Sequence, residues 1–148
     1  MKSTVVFVLT ICCGLTFASF SSDCGSEVGT VNSVTVSGCS EDDDRCTLKR
    51  NTDASVEINF TPKKDIDVVK AVVHGILLDI PVPFHLTNDN GCVNSGLTCP
   101  LKAGQTYLYK ATLPVLKKYP QVTVTVKWEL TDQDKKDITC TFIAAKIR

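Results

Sequence analysis

Eight cysteines and two histidines carry the most evident reactive or metal-ligating chemistry in this 148-residue chain. Cys12 and Cys13 fall in an N-terminal apolar run. The other six are Cys24, Cys39, Cys46, Cys92, Cys99 and Cys140. No pair of these has CxxC spacing, and neither His74 nor His85 stands in a ligand motif, so no metal site is expected. In an exported chain an even cysteine count instead points to disulfides. Cys39 and Cys46 flank six charged, turn-like residues, and Cys92 and Cys99 flank six residues that include Asn, Ser and Gly. Each pair is expected to close its own small loop. Cys24 and Cys140 are left to tie the two ends of the mature chain. That pairing closes the longest loop, where the chain-entropy account gives about 4–5 kcal/mol.

Catalytic signatures are missing. There is no GxSxG, no phosphate-cradling glycine loop and no nucleophile motif beside either histidine. Thiol chemistry needs a free thiolate, which six paired cysteines do not leave. Asp65 and Asp67 read as solvated turn residues, and His74 as an ordinary strand residue rather than a pH switch. The block Glu41, Asp42, Asp43, Asp44 reads as a solvated loop. Neither an enzyme nor a cofactor is expected.

Lys2, the apolar run Val5–Phe17 and the small residues Ala18 and Ser19 have the layout of a secretory signal peptide. Residues 1–18 are set apart on that basis, with cleavage after Ser21 as the alternative, and residues 19–148 are read as one domain. The run is short for a spanning helix, which needs about 20 apolar residues. An extracellular destination is expected, with the lysosome as the alternative. The chain has 16 Lys+Arg and 16 Asp+Glu; losing Lys2 leaves 15 against 16, a net charge near −1. That balance implies no basic face, so nucleic acid is not an expected partner.

The hydrophobic period is two. In ASVEINF (54–60), Val56, Ile58 and Phe60 share one face; in VTVTVKWEL (122–130), Val122, Val124, Val126, Trp128 and Leu130 do. Such alternation marks half-buried strands of antiparallel sheets. Residues 31–36, 70–78, 106–113 and 138–147 also read as strands, bounded by turn signals such as Asn90-Gly91 and Ala103-Gly104. Six or seven strands in about 125 residues argue for a two-sheet antiparallel sandwich. The Cys…Trp…Cys arrangement of a true immunoglobulin domain is missing. The sequon Asn59-Phe60-Thr61 puts a candidate glycan on the outward face of its strand, although Pro62 directly after it disfavours use.

One stretch does not fit a plain sandwich. KAVVHGILLDIPVPF (70–84) is apolar almost throughout, yet broken by Pro81 and Pro83. Proline cannot donate to a ladder, so regular pairing is expected to end after Ile80. Pro114 and Pro120 mark further breaks, and Val82, Phe84, Leu113, Val115, Leu116 and Tyr119 stand around them. Where edge strands lose pairing, two sheets can splay and apolar side chains line the gap. From the residues alone a filled core is favoured, because empty apolar volume is costly.

The chain resembles the ML lipid-recognition domain family, in its Niemann–Pick type C sterol-binding branch. The matching stretches run in order: DCGS (23–26), KAVVHGIL (70–77), PVPF (81–84), NGC (90–92), CPL (99–101), TYLY (106–109), LPV (113–115), YP (119–120) and KWEL (127–130). The resemblance implies an all-β, immunoglobulin-like sandwich of about seven strands with an apolar cavity between its sheets. It implies the pairs Cys24–Cys140, Cys39–Cys46 and Cys92–Cys99. It implies a monomer that binds cholesterol or a similar apolar lipid without chemistry. Phe84, Val115 and Tyr119 fall at entrance positions, and Val82, Leu113, Trp128, Val36, Val56, Ile58 and Phe60 at wall positions. His74, Gly75 and Ile76 fall in an exposed patch that docks on a membrane or a membrane-bound sterol acceptor. Thr141 and Ala54 stand where the family carries aromatic walls, and Asp79 and His85 are polar where it is small or apolar. Those departures leave fatty acids, microbial lipids and signalling lipids open as ligands. They also leave open a second role, as a recognition module for innate immunity or chemosensing.

Overall fold

The computed structural model describes residues 19–148; the leader assigned to residues 1–18 lies outside the described residues. Period-two sequence becomes half-buried strand. Along β4 (Thr52–Pro62), Ala54, Val56, Ile58, Phe60 and Pro62 turn inward while Ser55, Glu57, Asn59 and Thr61 turn outward. Along β8 (Thr123–Thr131) the inward set is Val124, Val126, Trp128 and Leu130. The remaining strands are β1 (Ser21–Asp23), β2 (Gly29–Val36), β3 (Cys46–Leu48), β5 (Lys70–Leu77), β6 (Ile80–Pro83), β7 (Tyr107–Val115) and β9 (Asp137–Ile147).

Two sheets face each other. One has six strands in the order β1-β9-β8-β5-β6, with β3 also on β9; the other is β2-β4-β7. Nine strands replace the expected seven, because β1, β3 and β6 are too short to show a period. β3 runs parallel to β9, so the larger sheet is not purely antiparallel. Pairing also does not end after Ile80. Ile80–Pro83 forms a four-residue edge strand against β5, with Pro83 opposite His74 and Pro81 opposite Ile76. An edge strand keeps one row of backbone groups unpaired, so a missing N–H costs little there. Pro114 sits likewise on β7, the edge of the smaller sheet, opposite Asp53.

A single apolar core lies between the sheets, with Trp128, Phe60 and Ile58 fully buried. Tyr109 of one sheet meets Trp128 of the other edge to face, with centroids 6.2 Å apart, and Phe60 leans on Tyr107 at 6.1 Å. One long side of the sandwich is held closely. β2 packs on β9 so tightly that a Cβ on Gly29 would lie 2.5 Å from the Ile138 carbonyl oxygen. Cys39, just after β2, is bonded to Cys46 at the start of β3 (Cα–Cα 5.3 Å), which joins the two sheets on that side. Cys24–Cys140 (5.0 Å) clamps the N-terminal segment to β9, and Cys92–Cys99 (5.5 Å) closes a loop between β6 and β7.

Candidate functional site

The opposite long side is the candidate site. β5 and β6 are joined by Leu78 and Asp79, both in the left-handed region (φ 47° and 65°). Two such residues make the tight hairpin turn whose twist suits flanking strands. Leu78 is thereby left 97% exposed, with Ile80 and Val82 beside it also exposed. Beyond Pro83 the Phe84 amide donates to the Val73 carbonyl at 3.0 Å, carrying the β5–β6 register one residue further. The Phe84 ring then covers Gly75: a Cβ there would lie 2.5 Å from Phe84 Cε2 and 3.3 Å from Val124 Cγ2. Glycine is required for this close approach, not for a turn.

Tyr119 completes the closure. Its ring meets Phe84 edge to face, 5.5 Å between centroids at 90°. Its amide donates to the Leu116 carbonyl at 3.1 Å, in the bend that follows β7. Partial burial raises the Tyr119 phenol above its ordinary range, so it stays a neutral hydroxyl. Behind the two rings is an apolar opening of about 100 Å³, lined also by Leu77, Val82, Val122, Val124 and Ile147. Sites for drug-sized ligands run to roughly 300–1,000 Å³. The opening is thus a mouth and not a cavity holding a whole sterol.

The predicted residues divide accordingly. Phe84, Tyr119 and Val82 line the mouth. Val115 is buried at the end of β7 and lines a separate shallow depression with Asn51, Thr52 and Leu116. Leu113, Trp128, Val36, Val56, Ile58 and Phe60 all belong to the closed core. The patch of His74, Gly75 and Ile76 needs correcting: Gly75 is buried beneath Phe84, and only its half-buried neighbours face outward. The exposed apolar surface nearby is instead Leu78, Ile80 and Val82. Leu77, Val122, Val124 and Ile147 were not singled out as mouth residues, although the alternation of β8 already put Val122 and Val124 on the inner face. Asn59 lies on the outer face of β4, where its Oδ1 accepts from Asn32 Nδ2 at 2.9 Å. Asp79 is in the hairpin turn. His85 and His74 flank a groove outside the mouth with Asp89. No cluster of His, Cys, Asp or Glu among the described residues could hold a metal ion.

Comparison with known proteins decides the family. Residues 18–147 match the ML domain. The chain belongs to the ML-domain family. An ML protein of Drosophila melanogaster, NPC intracellular cholesterol transporter 2 homolog a, is 51% identical over 127 residues, 86% of each chain. The ecdysteroid-regulated 16 kDa protein of Manduca sexta is 48% identical over 130 residues, 88% of this chain and 89% of that one. The crystal structure of a Niemann–Pick type C2 protein from the Japanese carpenter ant superposes with TM-score 0.81 at 37% identity, over 86% of this chain and 98% of that one. The ML fold accounts for both sheets seen here.

Proposed function

We propose that this ML protein is a secreted or lysosomal carrier that takes a sterol, cholesterol or one like it, between its sheets and passes it on without chemistry. The observation that carries the reading is the Phe84–Tyr119 ring pair beside Gly75, an aromatic cover on an apolar mouth. The relatives named for cholesterol transport supply the ligand class. Phe84, Tyr119 and Val82 form the entrance, and Leu113, Trp128, Val36, Val56, Ile58 and Phe60 are the walls. Val115, at the end of β7, stands apart from this entrance on a separate shallow depression. Because the mouth holds about 100 Å³, entry requires the rings to swing and the sheets to part on the β6–β7 side. A guest that hides about 400 Å² of apolar surface gains about 10 kcal/mol gross. Association and ordering costs take back several. Leu78, Ile80 and Val82 are the surface offered to a membrane or a membrane-bound acceptor, with His74 and Ile76 at its margin. A glycan on Asn59 would project from the far face.

Native mass spectrometry of the purified protein, followed by transfer of a fluorescent sterol between vesicles, tests the proposal. A co-purified lipid of sterol mass and accelerated exchange are expected. Absence of any sterol binding ends the reading.

A further inference from the structure

The interior wall is not uniformly apolar. Thr139 and Thr141 of β9 are fully buried (0% and 1% exposed), and neither hydroxyl has a hydrogen-bond partner in the protein. Both lie on the inward face. Thr141 pairs in register with Trp128 and Thr139 with Leu130, so each shares the face of a residue buried between the sheets. The Trp128 indole N–H is also buried with no partner in hydrogen-bond geometry, and the Tyr109 ring meets the indole edge to face. Burial pushes the Tyr109 phenol up to about 12, so it too is a neutral hydroxyl. Three unsatisfied hydrogen-bonding groups thus lie on the inward face of two neighbouring strands, Thr141 in register with Trp128 and Thr139 two residues along.

Buried polar groups almost always have partners, and each unsatisfied one is costly. Neither threonine hydroxyl finds a partner in the protein. Their position relative to the mouth suggests one from outside. Ile147 of β9 and Val124 of β8 line the mouth. From Ile147 to Thr141 is six residues, about 20 Å of strand, and from Val124 to Trp128 is four, about 14 Å. A long lipid that entered past Phe84 and parted the packed core would bring its leading end to this polar spot.

We propose that the interior selects a sterol oxygenated on its side chain, with the leading hydroxyl bonded to Thr141 or Thr139. This rests on the carrier reading above and deepens it. A plain hydrocarbon tail would leave the threonines unpaired and gain nothing from them. A tail hydroxyl is both donor and acceptor, so it can satisfy one threonine as donor and accept from the other or from Trp128. The asymmetry between a made and an unmade buried hydrogen bond suffices for about a tenfold preference.

The test is competition of cholesterol and 25-hydroxycholesterol for the whole protein, wild type against Thr139→Val/Thr141→Val. Valine keeps the volume and removes the hydroxyls, and a thermal melt confirms that the variant is folded. Wild type is expected to favour 25-hydroxycholesterol about tenfold. The double variant should lose that preference through weaker binding of the hydroxylated sterol, with cholesterol bound as well as before or better. Thr141→Ser, which keeps a hydroxyl, should retain the preference. Equal affinities in wild type, or a preference that survives the double valine change, overturns the inference and leaves the carrier reading standing. Failure of wild type to bind either sterol overturns both.

Discussion

Gly75→Ala isolates the aromatic cover from the rest of the fold. The new methyl would sit 2.5 Å from Phe84 Cε2, 3.2 Å from Cδ2 and 3.3 Å from Val124 Cγ2. Carbon atoms pack at about 3.5–4.0 Å, so the Phe84 ring must move by about 1 Å or more. That movement breaks its edge-to-face contact with Tyr119, a loss of about 0.5–1.5 kcal/mol. Alanine in a strand interior recovers about 0.5–1 kcal/mol relative to glycine. The two nearly cancel, and folding stability should change by less than about 1 kcal/mol. Closure of the mouth has no such compensation. Losing about 1 kcal/mol from the closed arrangement raises the ligand exit rate about fivefold. Stopped-flow transfer of a fluorescent sterol from preloaded protein to vesicles reads the exit rate, and a urea melt reads stability. A rate within twofold of wild type would refute Phe84 as the barrier to exit. A stability loss above about 3 kcal/mol would show that the ring is fixed core and not a cover.

Three further outcomes are expected. Burial, and then the neighbouring Glu129 carboxylate, raise the Asp137 pKa from 3.8 to about 7. The protonated form is therefore favoured by folding: its stabilisation is full below pH about 4 and is lost as pH rises towards 7. Asp137→Asn should flatten that slope and gain on the order of 1 kcal/mol at pH 8, the discount reflecting the group's partial exposure; urea melts of both proteins from pH 4 to 8 check it. Replacing Cys24 and Cys140 together by serine frees a loop with sequence separation 116 and should cost about 4–5 kcal/mol in a thermal or urea melt. Leu78→Asp, at a fully exposed turn position, should leave stability within about 0.5 kcal/mol while slowing sterol delivery to vesicles at least several-fold.

The strands that carry the core were legible because their burial is one-sided. Alternation in the sequence of β4 and β8 marks the inward residues, which are buried apart from Val122, half-buried just before β8. Cysteine spacing was legible for a similar reason, since short loops limit partners. The β5–β6 hairpin was not. Its turn is Leu78-Asp79, neither of them a glycine or asparagine, and the left-handed backbone they adopt leaves no composition signal. Pro81 and Pro83 then looked like a break in pairing, because proline speaks only of a missing donor and an edge strand can do without one. Gly75 was assigned to an exposed patch on the family resemblance, whereas the alternation of β5 puts it inward with Ala71 and Val73; the ring that covers it, Phe84, lies nine residues on. The unpaired hydroxyls of Thr139 and Thr141 depend on registry between strands, which period two alone does not reveal.

The uneven fastening of the two sheets has a mechanical consequence. Along the β2–β9 side the Cys39–Cys46 bond and the Gly29–Ile138 approach act as a spine. Along the β6–β7 side the sheets are linked by the connecting loop, whose disulfide Cys92–Cys99 closes on itself, and among the described residues no disulfide runs there from one sheet to the other. A guest wedged between them would lift the free margin farthest and the spine hardly at all. Thickness near the Phe84 rim would then be tolerated more readily than thickness near β2, and wedge-shaped lipids would be admitted broad end outermost.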